Sequence, residues 1–319
     1  MKPSSHVFNL FLLLLAWNVS FAQSPDSTFV YYQKLNNLES GLPMYKDNDA
    51  ILRLKILQLA QINKSRKKYH VGAVKLDILA SRVANKMCEE AGLNKYLGHW
   101  NMKGEKPYHR YAFAGGLDHV SENAASSTCG EKQVFADREE VFAEQMLKLH
   151  QEFMAERAPD DGHKQNCIAK DHNFVGIGVY RDDKEFRYYE EFIDRYYEFL
   201  EVPSTGLLKQ EILIKLKPES GKYFYYLVAY REDIKPMSPS KITSRKHYDD
   251  FSSESTLSFT PWQLDAFRKK DGAYEIPLFF KKQGYYYVNI FQSDKEIKAP
   301  IKYDTKGKIQ ASGIVIEIK

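Results

Sequence analysis

An α+β domain followed by an all-β domain is the architecture this sequence predicts, and three observations carry it. Between residues 49 and 153, three segments repeat apolar residues at three- and four-residue intervals, the spacing of a helix with one buried face. Two strand-like runs between 174 and 193 flank a polar turn. Beyond Val202-Pro203-Ser204-Thr205-Gly206, short β-type runs follow one another with no competing helical period. With 319 residues the chain exceeds one typical domain and can bury two cores.

Residues 1–22 read as a signal peptide. Lys2 precedes an apolar run over 7–17, and Ser20-Phe21-Ala22 forms a small-x-small cleavage site before Gln23. A secreted product, extracellular or periplasmic, is expected. The run is shorter than the roughly 20 apolar residues a membrane span needs, and no later stretch reaches that length, so no transmembrane segment is expected. Residues 23–45 are polar and Tyr-rich without a sustained period and read as a leader.

The first domain is expected over 46–200. Asp47, Asn48 and Asp49 offer caps for a helix over 51–62. Asp77 can cap a second, in which Leu79, Ala80, Val83, Ala84, Met87, Cys88 and Ala91 make one stripe and Gly92 a stop. Residues 93–136 look irregular; so long a loop in a compact domain is either functional or misread. Asp137 and Glu140 suggest a capping box for a third helix carrying Phe142, Met146, Leu149 and Phe153. Runs over 174–180 and 186–193, joined by a polar turn, form a hairpin. For 203–319, β runs at 211–216, 223–230, 255–259, 274–280, 284–291 and 313–318 suggest a small sandwich of immunoglobulin type.

The formal net charge is only +4 and basic residues are dispersed, which argues against a nucleic-acid partner. The densest patch, Lys64 to Lys68, reads as a solvated helix end. Three cysteines exclude a disulfide-dense miniature. In an exported chain Cys129 and Cys167 can pair, and three reduced thiols are the equal alternative.

Two histidines and two glutamates stand out as a candidate site: His99 in Gly98-His99-Trp100-Asn101, Glu122 in Ser121-Glu122-Asn123-Ala124, Glu156 at the end of the third helix, and His163 in Gly162-His163-Lys164-Gln165-Asn166. Neutral imidazoles and carboxylates gathered in one cleft can bind zinc or another divalent cation, or supply acid and base. Glu156 at a helix C-terminus faces a negative dipole, so a cation or a histidine partner there is favourable. Glu152 competes with Glu156 on the same helix, and His119 with His99. The remaining histidines, His6, His70, His109, His150, His172 and His247, read as ordinary surface or core residues.

These fragments, in this order, resemble the CAP family of cysteine-rich secretory, antigen 5 and pathogenesis-related proteins in its bacterial, SCP-like form. The resemblance spans residues 49–199 and extends to Asn63, Arg66, the segment Val74-Lys75-Leu76-Asp77, and the strand Val175-Gly176-Ile177-Gly178-Val179. Ser121 departs from the family's usual Gly and Phe153 from a common Trp. Glu190 and Glu191 stand where Thr-Gln is frequent, and one of them is expected to face the cleft. The resemblance implies a three-layer α-β-α sandwich whose cleft holds His99, Glu122, Glu156 and His163. It also implies an association with lipids, sterols or other proteins.

Three functions follow as expectations. The first is a non-catalytic cleft that binds an extracellular lipid, peptide or glycan, with a divalent metal. The second is a metal-assisted hydrolase of peptide or wall polymer using Glu122 and Glu156. The third is a surface adhesion module working through the C-terminal β domain. No His-Glu-x-x-His or Gly-x-Ser-x-Gly motif occurs, and no activated Cys-His context.

Overall fold

The computed structural model describes residues 25–130, 133–136, 138–245, 247–248, 255–297, 300 and 306–319. The signal-peptide reading over 1–22 and the cap assigned to Asp137 fall outside them.

Eight helices and thirteen strands are described, forming an α+β fold. In the first half they are α1 (Pro25–Leu38), α2 (Asp49–Lys68), β1 (Lys75–Leu76), α3 (Ile78–Leu93), α4 (Pro107–Phe113), β2 (His119–Thr128), α5 (Glu139–Ala155), α6 (Gly162–Cys167), β3 (Phe174–Arg181) and β4 (Glu185–Asp194). Asn48 caps α2 by accepting from the Ile51 amide, and Asp77 caps α3 by accepting from the Ala80 amide. Helix α5 begins at Glu139 with Arg138 at the N-cap and no side-chain cap.

The four strands order as β1-β3-β4-β2, with β1 parallel to β3 and the other pairs antiparallel. Because side chains alternate along a strand, each face recruits its own helices. One face presents Val175, Ile177, Phe186, Tyr188 and Phe192 to Leu52, Leu59 and Ile62 of α2 and Met146, Leu149 and Phe153 of α5. The other takes α3 at close range through Gly176 and Gly178. A Cβ at either glycine would lie 2.4 Å from α3 backbone, at Ala80 or Ala84. The result is three layers, helix, sheet and helix.

Two expectations need correction here. Residues 23–45, read as a leader, contain α1, whose Phe29 and Tyr32 are buried in the first core. Its apolar residues are few and interspersed with Tyr and Asn, which hides the period. The irregular reading of 93–136 also fails in part, since α4 and β2 lie within it. Helix α4 has only seven residues, and β2 carries His, Glu and Asn where a core strand would be apolar.

The second half holds β5 (Tyr197–Glu201), β6 (Thr205–Gly206), β7 (Glu211–Pro218), β8 (Tyr223–Glu232), α7 (Pro239–Ser244), β9 (Ser255–Phe259), α8 (Pro261–Asp265), β10 (Tyr274–Phe279), β11 (Gly284–Ser293), β12 (Ile309–Gln310) and β13 (Ile314–Ile318). Sheet β10-β7-β5 packs against sheet β6-β13-β11-β8-β9, with β12 beside β11. Ile214, Leu216, Ile276 and Leu278 of the first meet Leu227, Ala229, Val288, Ile290, Ile314 and Ile316 of the second in one core. The short helices α7 and α8 depart from the all-strand expectation; each starts at a proline, Pro239 or Pro261.

The two halves touch through α4 and β8. Lys106 Nζ lies 2.9 Å from Glu232 Oε1, the Tyr108 hydroxyl donates to Glu232 Oε2 at 2.6 Å, and His109 Nε2 is 2.8 Å from the same oxygen. The Tyr108 ring stacks on Tyr287 of β11 with centroids 4.0 Å apart. These contacts set one wall of the cavity described next.

Candidate functional site

A cavity of about 670 Å³ opens along β2 and is lined by His99, Glu122, Glu156 and His163 together. Each arrives on a different element. His99 sits on the loop after α3, where Gly98 packs on Ile242 and Arg110 Nη1 donates to the His99 carbonyl at 2.7 Å. Gly104 turns this loop at φ +83°, and a Cβ there would lie 2.0 Å from the Lys235 carbonyl oxygen. Glu122 is on β2, opposite Glu191 of β4. Glu156 is the residue at which α5 ends, and His163 lies in α6.

The four side chains form two pairs. His99 Nδ1 is 2.8 Å from Glu122 Oε1, and His163 Nδ1 is 2.5 Å from Glu156 Oε1. The remaining carboxylate oxygens are occupied too. Glu122 Oε2 accepts from Arg110 Nη2. Glu156 Oε2 accepts the backbone amides of His163 and Lys164 at 3.0 and 3.2 Å. The two imidazole centroids are 6.3 Å apart, and the His163 ring also packs on Phe153 at 4.8 Å.

Burial sets the charge states. It pushes His99 down from 6.5 to about 3, helped by the neighbouring His163 and Arg110, so the imidazole is neutral near pH 7. A neutral His99 must donate Nδ1–H to its carboxylate, which leaves the Nε2 lone pair free. Burial also lifts Glu122 to about 6 against the pull of Arg110, and lifts Glu191 well above the carboxylate range. Arg110 thus stands between two buried glutamates whose carboxyls burial pushes upward.

Other sequence candidates fall elsewhere. Glu152 is exposed on α5 with Lys148 3.8 Å away. His119 does line the cavity, but its Nδ1 is 2.8 Å from Asp194, whose other oxygen is 2.6 Å from His172 Nδ1. Glu190 and Glu191 point to opposite faces of β4, and neither lines the cavity. Glu191 meets Arg110, while Glu190 meets His150 at 2.7 Å and the Tyr188 hydroxyl at 2.6 Å.

Cys88, Cys129 and Cys167 are free thiols, so the Cys129–Cys167 pairing is not made. Cys167 is buried and donates to Glu190 at 3.3 Å. His150, Cys167 and Glu190 together form a second group with metal-ligating atoms, within 4.8 Å of one another. That group is fully buried and internally hydrogen-bonded, with Asn123 Nδ2 also donating to Glu190 at 3.1 Å.

Sequence reasoning missed the cavity's second wall. Tyr108 of α4, His247 and Tyr248 from the β8–β9 connection, Tyr287 of β11 and Gln310 of β12 all line it. His247, read as an ordinary histidine, accepts through its carbonyl from Trp100 Nε1 at 3.3 Å. The Tyr248 hydroxyl accepts the Glu122 amide at 2.7 Å. No local pattern signals these residues, because Tyr108 sits in a short polar helix and the other four come from segments after β8, far in sequence from the cleft motifs. Nor does the sequence mark Arg110 as the counter-ion of Glu122.

The chain matches no protein-family model and no curated protein. Among solved structures it is similar over 44% of its length to an extracellular protein containing an SCP domain from Bacillus anthracis, at 18% identity and a TM-score of 0.34. The match covers 39% of that chain, so this protein spans about two fifths of it. It is similar over the same share, again at 18% identity and a TM-score of 0.34, to an outer surface protein from Borrelia burgdorferi, of which 91% is covered.

Proposed function

We propose that this chain is an exported CAP-type protein whose cleft holds one divalent cation, zinc or a similar ion, between His99 and His163, and through it binds an oxygen-bearing extracellular ligand without turnover. One observation carries the reading: each imidazole gives Nδ1 to its own carboxylate, so Nε2 of both is the nitrogen left for a ligand bond. A carboxylate that fixes the tautomer and orientation of a histidine is the usual support of a metal ligand. The residues fit the group. At Zn–N distances of about 2.0–2.1 Å, two imidazoles on one ion have centroids roughly 5–6 Å apart, and here they are at 6.3 Å. The export and family parts of the reading rest on the N-terminal sequence and the ordered motifs.

A bound cation would supply a Lewis-acidic anchor for a ligand oxygen. The protein residues hold and orient: Glu122 and Glu156 fix the rings, Arg110 fixes Glu122, and the α6 amides fix Glu156. Turnover by hydrolysis would need a base free to turn toward a water. The raised Glu122 has a suitable pKa, yet both its oxygens are engaged, as are those of Glu156. That occupancy favours binding over catalysis.

Calorimetric titration of the mature protein with Zn²⁺ tests this. One ion per chain is expected for the wild type and none for the folded His99→Ala/His163→Ala variant. Equal uptake by both would refute the reading.

A further inference from the structure

After β8, residues 235–245 leave the sandwich and run across the loop that carries His99. The Met237 amide donates to the Met102 carbonyl at 2.9 Å, Ile242 of α7 lies against Gly98, and Arg245 sits 4.6 Å over the Trp100 ring. This path brings Tyr248 into the cavity, its ring centroid 4.8 Å from that of His99. Its hydroxyl oxygen is occupied as an acceptor by the Glu122 amide. No acceptor for its hydrogen is present among the described residues. A half-buried donor with its hydrogen unused, lining the cavity beside the imidazole of a candidate ion site, is placed to meet a ligand.

We propose that Tyr248, from the segment between β8 and β9, is a ligand-recognition residue of the cleft whose O–H donates to an anionic oxygen of a ligand bound beside His99. This rests on the divalent-cation reading. The partner chemistry is a small hard oxygen donor, such as a carboxylate or hydroxamate, because the hydrogen bond and the cation both select oxygen. It also gives the second domain a part in the site: its connection closes the cleft wall and contributes a polar contact that the first domain lacks.

The test uses the full mature chain loaded with Co²⁺, whose visible bands report the ion, and acetohydroxamate as the probe. Tyr248→Phe is expected to bind Co²⁺ within about twofold of wild type but to lose about tenfold in acetohydroxamate affinity, the worth of one hydrogen bond to a charged acceptor. Imidazole, which has no oxygen to accept that bond, is expected to bind both proteins alike. A Co²⁺-loaded Tyr248→Phe protein with wild-type acetohydroxamate affinity overturns this inference alone. A wild-type protein that takes up no Co²⁺ overturns the cation reading, and the inference with it. If the Phe variant fails to fold, the wild-type protein still decides. Adding acetohydroxamate should red-shift a tyrosine band in the near ultraviolet, and an unchanged spectrum overturns the proposal.

Discussion

Protonating His99 would place a second positive charge beside Arg110 in a buried pocket, and that conflict makes the site sensitive to pH. With a folded pKa near 3 and an ordinary value of 6.5, His99 takes up a proton more readily in the unfolded chain across that interval. Stability therefore falls as pH drops from 6.5 toward 3. Glu122 acts in the opposite sense between its ordinary 4.5 and about 6, where the folded state binds the extra proton. The His99 interval is wider, so a net loss on acidification is expected from the pair. In urea denaturation, His99→Gln should lose less stability than wild type between pH 6.5 and 4; parallel curves would contradict this. Arg110 carries a heavier burden. Arg110→Met leaves the Glu122 and Glu191 carboxyl groups buried without their cation and should cost about 3–5 kcal/mol, read from the urea midpoint.

Elements whose period was strong were legible in advance. Helix α3 follows its stripe from Asp77 to the Gly92 region because it buries that stripe on β3. Gly176 and Gly178 are what allow the close approach. Gly178→Ala should cost about 1–3 kcal/mol by thermal denaturation, since its methyl would meet Ala84 backbone at 2.4 Å and neither side can retreat. Strand β2 and helix α4 escaped because their residues answer to the site instead of to a core. Ser121 and Asn123 bond Asn166 and Glu190, and Lys106, Tyr108 and His109 bond Glu232. A polar alternation of this kind looks irregular until its partners are known. The β11 alternation was readable: Tyr286, Val288 and Ile290 enter the sandwich core, while Tyr285 and Tyr287 face α4.

At the scale of the whole molecule, the cleft is built by both halves. The first brings together the residues that ordered motifs had marked, His99, Glu122, Glu156 and His163, and the second closes the wall with Tyr287, Gln310 and Tyr248, the last packed against the cluster around Met87 and Trp100. Motifs revealed the first group because each sits in a short recognisable context. The second group is a product of packing between distant segments, which sequence spacing does not encode. Among the described residues no helix is long and apolar enough to cross a membrane. Glu122 and Glu156 each hold the Nδ1 atom of one imidazole. The most direct test is a crystal structure of the zinc-soaked protein with anomalous data at the zinc edge. The account predicts one peak about 2.0–2.1 Å from Nε2 of both His99 and His163, with Glu122 and Glu156 still on the Nδ1 atoms. A peak at His150, Cys167 and Glu190, or none at all, would contradict it.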